Sequence, residues 1–143
     1  AIATLVAASL APRAAPAAAP PGWSPAQELG HLIDLEPLWL ARVYDITDGR
    51  AELTAADLSN RATHEGDHDR WPLEALAGRF GTARARLVAA LRAVAPVDLD
   101  RAARHPRLGT PMRLVDLACF VAEHDDHHMA RLREILVDGP NHA

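Results

Sequence analysis

The chain has no lysine; its 15 basic residues are all arginine. Set against 19 acidic residues, they leave a formal net charge of −4. That balance excludes a nucleic-acid groove built on bulk positive charge. Cysteine occurs once, as Cys119, which excludes an intrachain disulfide and fits a reducing, cytoplasmic setting. Aromatic residues make up only 4%, so aliphatic side chains with a few tryptophans must fill the core. No apolar run reaches the roughly 20 residues that a membrane span requires, so no membrane partner is expected. No apolar/polar alternation marks a strand, and no segment repeats.

What is present suffices for one globule. The length of 143 residues with 49% hydrophobic content is one domain's worth, expected to span 1–143. Residues 1–10 are apolar, and an Ala/Pro-rich stretch follows to Gly22. A secretory signal would carry a basic segment first, and none is there. The stretch is expected to be a weak or truncated first helix ending near Pro12, followed by a linker, with the true start of the protein upstream.

Two helix starts are written clearly. Ser24-Pro25-Ala26-Gln27 offers an N-cap, a proline at the first helical position and glutamine two residues after it. The helix should run from Pro25 to about Ile46, kinked at Pro37. Thr110-Pro111 repeats the signal, and Gly139-Pro140 supplies the stop. A further helix from Pro72 to Val94 carries Leu73, Leu76, Phe80, Leu87 and Leu91, and Pro96 ends it. Thr47 to Trp71 reads as a long connection with a short helix near Ala51–Leu58, and Pro96 to Gly109 as another. The expected fold is all-α, an antiparallel four-helix bundle with long connections.

The strongest chemical signal is Glu123-His124-Asp125-Asp126-His127-His128. His124 and His128 lie four apart, on one helical face, a spacing that suits two imidazoles on one ion. At about 100° per residue, both fall on or beside the stripe of Leu114, Leu117, Val121, Leu132 and Ile135, whereas His127 falls on the polar side. His31 is the natural third ligand, beside Leu32, Leu35 and Trp39. Three imidazoles leave a coordination position open, the arrangement of catalytic rather than structural sites. They suit Zn²⁺ or Ni²⁺, with Fe²⁺ as a further candidate, better than Mg²⁺ or Ca²⁺. Protons should compete with the metal near a histidine's ordinary pKa of about 6.5.

Other candidates read more plainly. His64 and His68 share the four-residue spacing, but Gly66 and the acids around them mark a polar loop. Asp34 follows His31 by three residues, near enough to act as acid or base beside the metal or to orient a ligand. Glu36 is a further candidate acid or base. Glu123 and Asp126 read as a solvated face, and Asp125 as a group that orients a histidine on a neighbouring helix. Cys119 reads as a buried, inert thiol, and Trp39 and Trp71 as core.

The order of these features resembles the DinB/YfiT-like family of metal-dependent enzymes, particularly its DinB_2-type branch. Trp23-Ser24, Glu28, His31, Asp34, Glu36 and Arg42 resemble its first motif helix. Phe80, Arg84, Leu87 and Leu91 resemble its third helix, His105, Gly109 and Thr110 its connector, and His124 to His128 its H-x-x-H-H motif. The resemblance covers about Pro21 to Leu136. It implies a bundle holding a divalent metal on His31, His124 and His128, often as a homodimer. Reactions assigned within the wider superfamily include thiol transfer and isomerisation. The expected activity here is that of a metal-dependent hydrolase or thiol transferase acting on a small molecule, and the double-positive charge that neutral ligands leave on the metal suits a small thiol as cofactor. The alternative is a non-catalytic metal- or ligand-binding bundle with a stress-response role.

Overall fold

The computed structural model describes residues 22–138. Three long helices dominate: α1 Pro25–Thr47, α3 Leu73–Arg92 and α4 Leu114–Asp138, with a short α2 at Arg61–Glu65. The first helix and linker expected over residues 1–22 lie, Gly22 aside, outside the described residues, as does the Gly139-Pro140 stop. The described part is mostly helical. It is not purely α, because a small sheet is present.

Helix α1 begins as its sequence dictates. Ser24 Oγ accepts from Gln27 N at 3.1 Å, and Gln27 Oε1 accepts from Ser24 N at 3.0 Å. This reciprocal pair satisfies two of the otherwise orphaned donors. The helix continues through Pro37, whose ring is exposed, so the missing donor falls on the solvent side. It ends at Asp48, and Gly49 at φ 73° turns the chain away through the left-handed region.

Helix α1 packs against both α3 and α4. One core cluster centres on Trp39, Val43, Ile46, Leu87, Leu117 and Val121, and a smaller one on Ala26, Leu29, Leu32 and Leu76. Ile46 and Leu76 are fully buried, each stabilising the fold by about 1.5–3 kcal/mol through leaving water. A polar clamp joins all three helices: Arg84 on α3 donates to Glu36 on α1 and to Asp125 on α4, and lies over the Phe80 ring at 4.8 Å. Asp125 therefore pairs with an arginine, not with the histidine expected for it. Glu36 is spent on the same clamp.

The connections depart most from expectation. Residues 51–58 form no helix. Asp45 Oδ2 accepts from the backbone and hydroxyl of Thr54, at 2.6 and 2.7 Å, and Leu53 N donates to Arg104 O at 3.0 Å, which holds the segment extended. The short helix comes later, at Arg61–Glu65. Strands β1 Ala102–Arg104 and β2 Pro111–Arg113 pair antiparallel, with Ala103 opposite Met112. Both of those side chains are buried while their neighbours are exposed. Three residues per strand are too few to show a period of two. Pro111 accordingly belongs to a strand, and α4 starts three residues after the expected position.

Two side chains end up outside. Cys119 is exposed, because two residues at about 100° each turn it away from Leu117 and Val121. Trp71 is half-exposed and pairs with the Arg79 guanidinium at 5.6 Å, while Trp39 is buried as expected. Among the described residues, no helix is long and apolar enough to cross a membrane.

Candidate metal centre

His31 stands on α1, two turns from its start, and His124 and His128 stand one turn apart on α4. Packing of α1 on α4 brings them together. Ring centroids are 4.6 Å apart for His31 and His128, 4.5 Å for His124 and His128, and 5.3 Å for His31 and His124. One ring nitrogen from each lies within 4.8 Å of the other two, and all three residues are buried. Trp23 covers the group, at 4.9 Å from His31 and stacked on His128 at 6.3 Å.

Hydrogen bonds behind two of the rings, His128 and His31, fix their tautomers. Glu28 Oε2 accepts from His128 Nδ1 at 2.7 Å, which leaves the Nε2 lone pair free. Thr63 donates its one hydroxyl proton to Asp34 Oδ2 at 3.1 Å. It therefore accepts from His31 Nδ1, at 3.0 Å, and His31 Nε2 also carries a lone pair. His128 Nε2 and His124 Nδ1 are buried with no hydrogen-bond partner. Orphaned buried nitrogens are costly, and a cation would satisfy them.

Burial keeps these rings neutral. Desolvation, then the neighbouring His128, pushes the pKa of His31 and of His124 down to about 3. Desolvation also lowers the pKa of His128, against an opposing pull from Glu28. Competition from protons near 6.5, expected from the sequence, is thereby moved to more acidic conditions in the folded protein. Neutral, inward-facing imidazoles of this kind fit a divalent transition metal.

The remaining candidates are distributed as follows. Asp34 stands one residue behind the triad, accepting from Thr63 Oγ1 and, at 2.8 Å, from His68 Nε2. His68 is buried and His64 exposed, on separate short helices, and the two form no metal group. His127 is half-buried, edge-on to His128 at 5.2 Å, and is not one of the clustered three. Glu123 and Asp126 lie on the exposed face of α4. Sequence reasoning missed the roles of Glu28 and Thr63. Glu28 is three residues before His31, on the same helical face, which was a usable signal. Thr63 lies in a distant short helix and gave none.

The triad opens into a cavity of about 380 Å³. Trp39, Leu35, Leu38 and Phe120 supply apolar wall, and Arg42 and His105 also line it.

A family model described as the DinB superfamily matches residues 4–132. The chain belongs to the DinB superfamily. No curated protein and no solved structure gives a match. Membership and the three-histidine cluster agree on a site compatible with metal binding in this DinB-superfamily protein.

Proposed function

We propose that this protein holds one divalent transition metal, zinc or nickel before iron, on His31, His124 and His128, and is a metal-dependent enzyme acting on a small molecule. The observation that carries this reading is the open side of the triad. Among the described residues no fourth His, Cys, Asp or Glu joins the three histidines, and their free side faces the cavity. Structural zinc sites close with four protein ligands, whereas catalytic sites keep a position for substrate. When bound, such a dication polarises an oxygen or sulfur ligand and lowers its pKa.

The chain's own residues do the rest. Glu28 and Thr63 fix the proton on the outer nitrogen of their histidines, so that the inner lone pairs converge. Asp34 acts as a positioning residue, because it reaches the site through Thr63. The three ligands bring no negative charge, so a site holding a dication favours an anionic oxygen or a thiolate. Hydrolase or small-thiol transferase activity fits that preference. A homodimer is what the family resemblance implies, and the single cysteine, Cys119, fits a reducing, cytoplasmic setting.

Elemental analysis after loading and dialysis, followed by turnover assays with small thiols against electrophiles and with simple esters, tests the reading. About one equivalent of metal, and turnover that needs both the metal and His128, is the expected result. Absence of stoichiometric metal, or equal occupancy in the His128→Ala protein, overturns it. Metal without turnover on any substrate would instead support a binding protein.

A further inference from the structure

At the end of the cavity away from the histidines, Arg42 Nη1 stands 3.3 Å from His105 Nε2. This contact cannot be an ordinary hydrogen bond. His105 Nδ1 accepts from the backbone N–H groups of Arg107 and Leu108, each at 3.2 Å, so the lone pair of the neutral ring is on that side. Desolvation, then Arg42 and Arg107, lowers the His105 pKa and keeps the ring neutral. Its proton is therefore on Nε2, facing a guanidinium that can only donate. Two donors meet with no acceptor between them.

The fold enforces this arrangement. His105 N donates to Thr110 O, and Gly109 N to His105 O, closing a tight loop that Gly109 completes at φ 69°. The loop presents the two backbone N–H groups to Nδ1. The H-x-x-x-G-T stretch thus serves to aim one proton. Arg42 is 2% exposed; Nε donates to Thr54 O at 2.9 Å, and its guanidinium lies 5.5 Å from the Trp39 ring. Among the described residues no carboxylate pairs with it directly. Asp45 is held by Thr54 and Arg50. Asp57, which also lines the cavity, is engaged by Ser59 and Arg61. Asp45 acts on the Arg42 guanidinium only at a distance, and desolvation outweighs it; a buried cation without a direct partner is costly unless an anion meets it.

We propose that Arg42 and His105 bind the carboxylate of a small organic acid, whose apolar body lies along Trp39 and Phe120 with its other end toward His31, His124 and His128. The apolar wall is continuous: Trp39 is 5.8 Å from Phe120 and 5.6 Å from His124, and Phe120 is 6.1 Å from His105. One carboxylate accepts from both donors and adds a single charge. A phosphate monoester would bring a second negative charge into a mostly apolar cavity, so the carboxylate is the better match. This rests on reading the cavity as the substrate site and names the substrate's class.

The test uses metal-free protein, so that it is independent of the histidine reading. Calorimetric titration compares phenylpropanoate with phenylpropanamide, which has nearly the same shape without the charge. The carboxylate should bind at least about tenfold tighter, the scale of one charge-assisted hydrogen bond. The His105 Nε2–H resonance in nitrogen-labelled protein should shift on adding the acid. Arg42→Met should abolish the preference, with circular dichroism and a cooperative thermal melt reporting that the fold survives. Equal affinity for acid and amide overturns the proposal, as does a preference kept in folded R42M or seen only after metal is added. If R42M does not fold, the His105 resonance of the wild type decides, and an unmoved signal overturns the proposal. Failure here leaves the metal reading standing, since elemental analysis tests that separately.

Discussion

Glu28 and His128 lie 100 residues apart in sequence and meet through a 2.7 Å hydrogen bond between side chains no more than 2% exposed. Glu28 sits in the first turn of α1, where the helix dipole favours a carboxylate. His128 Nδ1 donates to it, so Nε2 is left for a metal. Removing such a partner typically weakens metal binding by about 10–100-fold. Glu28→Ala should show a loss in that range in a chelator competition. Glu28→Gln should lose less, because its amide oxygen still accepts. Unchanged affinity in Glu28→Ala would mean that the bond does not orient the ring.

Thr63 does the same for His31 by a two-step link through Asp34. Thr63→Val is close in shape and lacks the acceptor. It should reduce metal affinity by about tenfold or more, whereas Thr63→Ser should stay near the wild type. The pair separates orientation from packing, since valine fills the space and serine keeps the hydroxyl. A valine variant that binds metal as the wild type does would show that Thr63 has no orienting role.

The histidines also predict how acid destabilises the metal-free fold. His31 and His124 have folded pKa values of about 3, below the ordinary 6.5 of an unfolded histidine. Between those limits the unfolded chain binds more protons, so stability rises with pH. It is therefore lost as pH falls from about 6.5 toward 3, and is fully present above 6.5. Thermal melts in chelator should show the midpoint dropping steadily across this window. In a folded His124→Ala protein the slope should be shallower, because one depressed group is gone. A midpoint independent of pH from 7 to 4 would contradict the burial of these rings.

Much of this architecture was legible because the signals were local. Ser24 and Gln27 cap α1 within four residues, and the His124/His128 spacing places both rings on one face of α4. What stayed illegible depends on distant pairing. Residues 51–58 are held extended by Asp45 and Arg104, and β1 and β2 exist because Ala103 meets Met112. Asp125 looked like a partner for a histidine, yet Arg84 lies across from it on another helix. Cys119 was misplaced for a different reason: its neighbours are apolar, but its helical phase is outward. The donor-to-donor contact of Arg42 and His105 spans 63 residues and follows from a loop conformation that no periodicity reveals.

Glycine positions give opposite predictions for one substitution. A Cβ on Gly30 would lie 2.2 Å from the His68 ring, and one on Gly66 would lie 2.6 Å from His68 Nε2. These two glycines make the space in which His68 reaches Asp34. Gly78, in α3, has nothing within 4 Å of the same position. Helix propensity alone favours alanine over glycine by about 1 kcal/mol at either helical site. At Gly78 that gain stands, so Gly78→Ala should stabilise the protein by about 0.5–1 kcal/mol in urea melts. At Gly30 the ring must move, breaking its bond to Asp34, and overpacking of this kind costs about 1–3 kcal/mol. The clash exceeds the propensity gain, so Gly30→Ala should destabilise on balance. It should also weaken metal binding, because Asp34 holds Thr63 and Thr63 holds His31. Stabilisation by Gly30→Ala with metal affinity intact would show that His68 is free to leave and has no part in holding the site.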